Sequence, residues 1–194
     1  MDSSFNLFPT PVLCCSNFLS DSEREKIFEI LIDFDCSYHS SVVGGKSSFY
    51  FVNDILHSFN LKKRIQKKIN IYTDKHKIRP VEITNSWFNI HHDGGHLVSH
   101  DHPTSVVSIA LYINVDECGS SLSFYNPNSL MSFLWNPPPI KGFDHSRFDI
   151  KPKNGDLYIF PSWLRHGSVS FAGTKNRMVI SANTKWNKNT VSYQ

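Results

Sequence analysis

The sequence has few cysteines and no long apolar run, and both absences narrow its class. Its four cysteines, Cys14, Cys15, Cys36 and Cys118, form no CxxC pair and no spacing typical of a disulfide framework. No apolar stretch approaches the ~18 residues that span a bilayer, and the N-terminus has no signal-peptide pattern. We therefore predict a reducing, cytoplasmic setting and no membrane association.

A large excess of charge of one sign is also missing. The chain has 20 basic and 17 acidic residues, which gives a net charge of +3. So small an excess argues against nucleic acid as a partner. The clearest basic run, residues 62–68, is typical of a solvated helix face. Nothing in the sequence indicates an oligomeric state.

The chain is long and apolar enough for one folded domain, because it has 194 residues and 40% of them are hydrophobic. Residues 1–80 are predicted to be mainly helical. Ser20 and Glu23 form a capping-box pattern before an apolar helical repeat, which predicts a helix over 21–34. A second helix is predicted over 53–75, and the Ser- and Gly-rich segment 35–50 is predicted to be a loop.

After Pro80 the pattern changes to short β-strands separated by turn signals. Strands are predicted at 81–90, 106–113, 122–125, 156–160 and 177–184. Regularly spaced short strands of this kind favour a jelly-roll. The fold class is therefore α+β, a double-stranded β-helix over 81–187 with N-terminal supporting helices. Residues 126–149 lack a clear period and are interpreted as a surface insertion of the kind that often forms a lid.

Histidine is the most informative residue type. Half of the ten histidines fall between positions 91 and 102, and His166 follows a Gly-Asp strand. His100 and His102, two residues apart on a strand, face the same side and can bind one ion, with His166 as a distant third ligand. Such a facial set leaves positions open for oxygen and a cosubstrate, as iron chemistry requires. Imidazole also suits zinc, copper and nickel, so ligand type alone leaves the metal open.

Residues 86–186 resemble the 2-oxoglutarate/iron(II) oxygenases, especially a phage and bacterial subgroup of them. The resemblance also extends to Leu7–Val12 near the N-terminus. Within the main region it is carried by motifs in the family's order, which are Ser86–Asn89, Gly94–Gly95, His100–Pro103, Ser108–Asn114, Gly155–Gly167 and Arg177–Ser181.

The resemblance implies Fe(II) and 2-oxoglutarate as cofactors, with His100 and His166 as iron ligands. It also implies that Tyr112 and Arg177 bind the far carboxylate of 2-oxoglutarate. A buried guanidinium suits that role because it forms two parallel charge-assisted bonds to a carboxylate. Many members carry Ser two residues after the arginine, where this chain has Val179, so Ser181 is the next hydroxyl on the same face.

The chain departs from the wider superfamily at the second metal ligand. That position usually holds Asp or Glu, and here it is His102. Asp101 is the nearby carboxylate, but strand alternation would turn it away from His100. We therefore predict His102 as the ligand and keep Asp101 as the alternative.

The implied reaction hydroxylates a substrate with dioxygen and releases succinate and carbon dioxide, and no side chain need act as an acid or base. His91, His96 and Trp163 are candidate substrate contacts, although the sequence does not identify the substrate.

Two other functions remain open. A cupin-like metalloenzyme would not use 2-oxoglutarate and would give Arg177 no evident role. A non-catalytic jelly-roll interaction module would hold metal only structurally, with His96 or Asp101 closing the site as a fourth ligand.

Overall fold

The structure of the chain is a computed structural model that describes residues 9–50, 54–116, 121–128, 146–170 and 176–187. Within these ranges the elements follow one another as β1 (Leu13–Cys15), α1 (Asp21–Ile32), β2 (Val42–Ser47), α2 (Ile55–Ser58), α3 (Lys62–Lys75), β3 (Val81–Leu97), β4 (Val107–Asn114), β5 (Leu122–Tyr125), β6 (Arg147–Ile150), β7 (Leu157–Pro161), β8 (His166–Gly167) and β9 (Arg177–Trp186).

The strands form two antiparallel sheets. One has six strands in the order β1-β7-β4-β9-β3-β2, and the other has three in the order β6-β5-β8. Strands that are distant in sequence lie side by side, since β4 pairs with both β7 and β9. This is the predicted jelly-roll with supporting helices, of the α+β class.

Strand alternation divides the core into two apolar layers. Along β4, Ile109 and Leu111 belong to the cluster that also contains Ile27 and Ile65 of the helices. Ala110 and Tyr112 belong to a second cluster, which includes residues of the three-stranded sheet. Because successive side chains point to opposite faces, one strand supplies both layers. The cavity described below opens on the second face.

The helices differ in length from the sequence prediction. The capping box is present, since the Ser20 hydroxyl accepts from the Glu23 N–H and the Glu23 carboxylate accepts from the Ser20 N–H. Helix α1 ends at Ile32 rather than at residue 34. The helix predicted over 53–75 is two helices, because Asn60 adopts a left-handed conformation, with φ +56°, between them. None of the described helices is long and apolar enough to cross a membrane.

The segment predicted to be a loop, 35–50, contains strand β2. Its pairing with β3 needs glycine, because a Cβ on Gly45 would lie 2.1 Å from the Ile90 carbonyl oxygen. The register shifts between Val43 and Gly45, where Gly44 has φ +64°. Of the predicted insertion 126–149, residues 129–145 lie outside the described residues, and β6 begins near its end.

Candidate metal centre

Backbone pairing brings the segment after β3 against β8. The His100 N–H donates to the His166 carbonyl at 2.9 Å, and the His166 N–H donates to the His100 carbonyl at 2.8 Å. The His102 N–H donates to the Ser162 carbonyl, also at 2.9 Å. His100 forms an isolated bridge rather than part of a regular strand, so these bonds, more than strand geometry, fix the three histidine backbones.

The three imidazoles converge on one point. One ring nitrogen from each of His100, His102 and His166 lies within 4.8 Å of the other two. Ring centroids are 4.6 Å apart for His100 and His166, 4.8 Å for His100 and His102, and 5.2 Å for His102 and His166. The cluster is of a size that a single metal ion can bridge.

Hydrogen bonds to backbone carbonyls select the tautomer of two of these rings. His100 Nδ1 lies 2.8 Å from the Val98 carbonyl oxygen, and His166 Nδ1 lies 2.8 Å from the Leu164 carbonyl oxygen. A carbonyl only accepts, so each Nδ1 carries the proton and each Nε2 keeps a free lone pair. This is the usual arrangement of histidines that bind metal ions.

Burial keeps the three rings neutral. It lowers the pKa of His166 to about 3 and that of His102 to about 4, and it also lowers the pKa of His100. Neutral imidazole is the form that binds a metal. Asp101 is exposed and lies outside the cluster. The donor set is therefore three neutral nitrogens, which fits iron(II) and adds no negative charge.

A second polar group lies on the six-stranded sheet. Arg177 is 3% exposed, and its Nη2 donates to the Tyr112 hydroxyl at 3.3 Å. Its Nη1 is 3.3 Å from His91 Nδ1, while its Nε has no partner among the described residues. No described carboxylate pairs with Arg177. A buried cation without an anion is costly, so this site fits a carboxylate ligand such as the far end of 2-oxoglutarate.

One cavity of about 240 Å³ joins the histidine cluster to Arg177. Two neighbouring strands, β3 and β9, form one wall of this cavity. Across these strands His91 pairs with Arg177, and Trp87 pairs with Ser181. Alternate residues of β3 and β9 face it, namely Trp87, Asn89, His91, Arg177, Val179, Ser181 and Asn183.

Aromatic rings extend from this cavity to the surface. We call His39, Phe49, Tyr50 and Trp87 the aromatic mouth. The Phe49 ring lies 5.1 Å from Trp87, 5.3 Å from His39 and 5.4 Å from Tyr50, measured between centroids. Trp87 in turn lies 6.0 Å from His102. Exposure falls from 67% at Tyr50 to 38% at Phe49 and 7% at Trp87, so the mouth leads inward to the histidines.

The remaining predicted site residues divide into two groups. His91 and Ser181 line the cavity, as do Tyr112 and Arg177. His96, although half-buried on β3, does not line it, nor does Trp163, which is 54% exposed. Their roles as substrate contacts stay predictions.

The sequence pattern did not point to Asn89, His39 or Phe49, all of which line the cavity. Strand alternation between Trp87 and His91 was a signal for Asn89. His39 and Phe49 had no such signal, since their segment was interpreted as a loop.

The sequence of the core matches one family. The family described as "Putative 2OG-Fe(II) oxygenase" matches residues 85–183, just over half of the chain. The chain belongs to this family. The matched region of the oxygenase contains the three histidines together with Tyr112 and Arg177. No curated protein matches its sequence. The narrower resemblance to phage and bacterial members stays a prediction.

Solved structures share the fold of the oxygenase at low sequence identity. HygX from Streptomyces hygroscopicus, with nickel and 2-oxoglutarate bound, has a TM-score of 0.64 and 12% identity, over 92% of this chain and 84% of that one. A Pseudomonas putida prolyl-4-hydroxylase has a TM-score of 0.64 and 12% identity, over 92% and 94%. The collagen prolyl hydroxylase vCPH of Paramecium bursaria Chlorella virus-1, in a 2OG complex, has a TM-score of 0.63 and 14% identity, over 91% and 96%.

Proposed function

We propose that this oxygenase binds Fe(II) through His100, His102 and His166 and hydroxylates a C–H bond of its substrate. One observation carries the proposal: a single cavity joins three neutral imidazoles to a buried guanidinium that has no carboxylate partner in the described chain. Iron with 2-oxoglutarate supplies the oxidation, in which one atom of dioxygen enters succinate as carbon dioxide leaves and the other becomes the substrate hydroxyl.

The chain's residues bind and orient, and none need transfer a proton. The Nδ1–H bonds of His100 and His166 to backbone carbonyls aim the opposite nitrogens at the ion. Arg177 and Tyr112 bind the far carboxylate, with Ser181 further along the same wall. Apolar lining residues, namely Ile109, Leu122 and Phe160, exclude water from the cavity.

The two alternatives have less support. A cupin-like enzyme that does not use 2-oxoglutarate gives no role to a buried Arg177 that has no carboxylate partner among the described residues. A closed structural zinc site needs a fourth protein ligand. Among the described residues, neither Asp101 nor His96 belongs to the histidine cluster.

The substrate binds at the aromatic mouth and presents an uncharged ring. Asp101 is the one carboxylate among the described residues that line the cavity. The lining therefore has little negative charge with which to bind a substrate that carries several positive charges. The rings of Phe49 and Trp87 meet at 90°, which makes an apolar corner rather than a flat stacking surface. Such a corner suits a compact ring such as that of a prolyl residue. Two of the similar structures are prolyl hydroxylases, whereas HygX has been solved with hygromycin B bound.

Two further features belong to this proposal. Residues 1–194 form a single domain, with a mainly helical part over 1–80 and the jelly-roll core over 81–187, which is supported by the apolar cluster that Leu31 shares with Leu111. The protein acts in a reducing cytoplasm, that of a phage-infected host if the subgroup resemblance holds. The free cysteines Cys14, Cys15 and Cys36 support the reducing setting.

The decisive experiment is an anaerobic titration of the iron(II)-loaded protein with 2-oxoglutarate, followed by visible absorption. We expect a weak metal-to-ligand charge-transfer band in the wild type, because the cosubstrate chelates the iron. Arg177→Ala should shift the titration to at least tenfold higher concentration, since the far carboxylate loses its charged partner. Iron binding without any such band would contradict 2-oxoglutarate as cosubstrate, and no iron binding would contradict the metal centre.

A further inference from the structure

His91 is buried in the cavity wall with one ring nitrogen unused. It is 1% exposed, lies on β3, and its Cα pairs with that of Arg177 on β9. Its Nε2 has no hydrogen-bond partner in the part of the chain that the structure describes. A buried polar atom without a partner is destabilising, so a ligand that satisfies it gains binding free energy.

Arg177 determines which nitrogen of His91 carries the proton. A guanidinium only donates, so His91 Nδ1, at 3.3 Å from Arg177 Nη1, acts as the acceptor. The proton then lies on Nε2, which becomes a donor with no acceptor among the described residues. Burial and the nearby Arg177 charge lower the pKa of His91 to about 3, which keeps the ring neutral.

We infer that His91 is a third binding residue for the far carboxylate of 2-oxoglutarate, donating from Nε2 beside Arg177 and Tyr112. This inference rests on the proposed function. A carboxylate has two oxygens and several acceptor positions, so three neighbouring donors match it well. A neutral donor adds a hydrogen bond without a second positive charge beside the guanidinium.

The test compares 2-oxoglutarate with 2-oxopentanoate, which carries a methyl group in place of the far carboxylate. Both ligands are titrated calorimetrically, without oxygen, into iron(II)-loaded wild type, His91→Phe and His91→Gln. His57→Phe, an exposed histidine on α2, is the matched control.

We expect His91→Phe to weaken 2-oxoglutarate binding about tenfold, because a bond from a neutral donor to a charged acceptor is lost. Binding of 2-oxopentanoate should change less than about twofold, since it lacks the carboxylate that His91 contacts. His91→Gln should recover part of the loss, because its amide nitrogen lies near the position of Nε2. His57→Phe should match the wild type for both ligands.

Two outcomes would overturn this inference alone. Equal weakening of both ligands would mean that His91 acts through packing, and unchanged 2-oxoglutarate binding would mean that it is not a binding residue. The iron affinity of each variant, measured without cosubstrate, shows whether the fold and the histidine cluster are intact. A wild type that binds iron but no 2-oxoglutarate would instead overturn the proposed function, and this inference with it.

Discussion

His102 occupies the position where the wider oxygenase superfamily places a carboxylate. Burial lowers the pKa of this histidine to about 4, so it brings no charge to the cluster. An ion bound by three neutral rings keeps its full positive charge until an anionic ligand arrives. Under the proposed function the anion is the cosubstrate, so binding of metal and of 2-oxoglutarate should be strongly coupled, and the coupling must be reciprocal.

We predict that 2-oxoglutarate strengthens iron(II) binding at least about tenfold in the wild type. His102→Asp should bind iron more tightly without cosubstrate and gain less from adding it, because the new carboxylate already compensates the charge. Anaerobic calorimetry with and without saturating 2-oxoglutarate measures both affinities.

Asp101→Asn is the control for this prediction, because Asp101 is adjacent in sequence but exposed and outside the cluster. It should change both affinities much less than His102→Asp does, because Asp101 acts on His100 and His102 only through its charge from outside the cluster. An equal gain from 2-oxoglutarate in the wild type and in His102→Asp would refute the charge argument.

At the scale of elements, the aromatic mouth depends on β2 and the turn that follows it. Phe49 lies two residues after β2 and contacts Trp87 of β3 edge to face. We predict that Phe49→Ala raises the concentration of a proline-containing peptide needed for half-maximal succinate release about tenfold. The binding of 2-oxoglutarate should be unchanged, because Phe49 contacts Trp87, which is four residues along β3 from the partner of Arg177.

Phe148→Ala is the matched control for the mouth. Phe148 is 67% exposed on β6 and does not line the cavity. Its variant should behave as the wild type in the same assay. If no proline-containing peptide stimulates succinate release, the prolyl part of the proposal is wrong. If Phe49→Ala and Phe148→Ala have equal effects, the mouth is not the binding surface.

Five of the described strands, β3, β4, β5, β7 and β9, were predictable from residue pattern, but β1, β2, β6 and β8 were not. Strand β5 has the predicted bounds, and β4 differs by one residue at each end, because both are rich in the β-branched and aromatic residues that favour strands. Strand β2, with the sequence VVGGKS, contains two glycines, which disfavour strands in isolation. It forms because β3 extends to Leu97 and hydrogen-bonds with β2, whose glycines allow the two backbones to lie close together. This pairing is a tertiary effect, which the local sequence does not reveal.

The candidate site was predictable in the same uneven way. The spacing of His100, His102 and His166 along the chain predicts a metal centre, because two nearby histidines and a distant third can form a facial ligand set. The contact between His91 and Arg177 depends on the register of two strands 86 residues apart in the chain. Local sequence carries no information on how these two strands pair. It also does not show that, among the described residues, no carboxylate lies beside Arg177.

At the scale of the whole molecule, buried neutral histidines make folding sensitive to acid. His91 has a pKa of about 3 in the folded protein, against an ordinary value of 6.5. Below pH 6.5 the unfolded chain binds a proton that the folded chain does not, so stability falls as the pH falls, until the folded pKa is reached. The loss from one such group is about 1.4 kcal/mol per pH unit.

We predict that His91→Phe makes the free energy of unfolding less dependent on pH between 6.5 and 3 in the metal-free protein. Urea unfolding at a series of pH values measures this slope. His57→Phe removes an exposed histidine and should leave the slope close to that of the wild type. A wild-type stability that is constant or rises as the pH falls through this range would contradict the linkage.

The two ends of the cavity belong to different sheets. His166 lies on β8 of the three-stranded sheet, whereas Arg177 lies on β9 of the six-stranded sheet. The apolar layer that holds the sheets apart contains Phe124 and Phe160. If one 2-oxo diacid is held by an ion at the histidines and by Arg177, its chain length must match the separation of the two sheets, which this apolar layer sets. Selectivity for one chain length among 2-oxo diacids would then depend on the size of core side chains such as Phe124 and Phe160, as well as on the groups that bind the two ends.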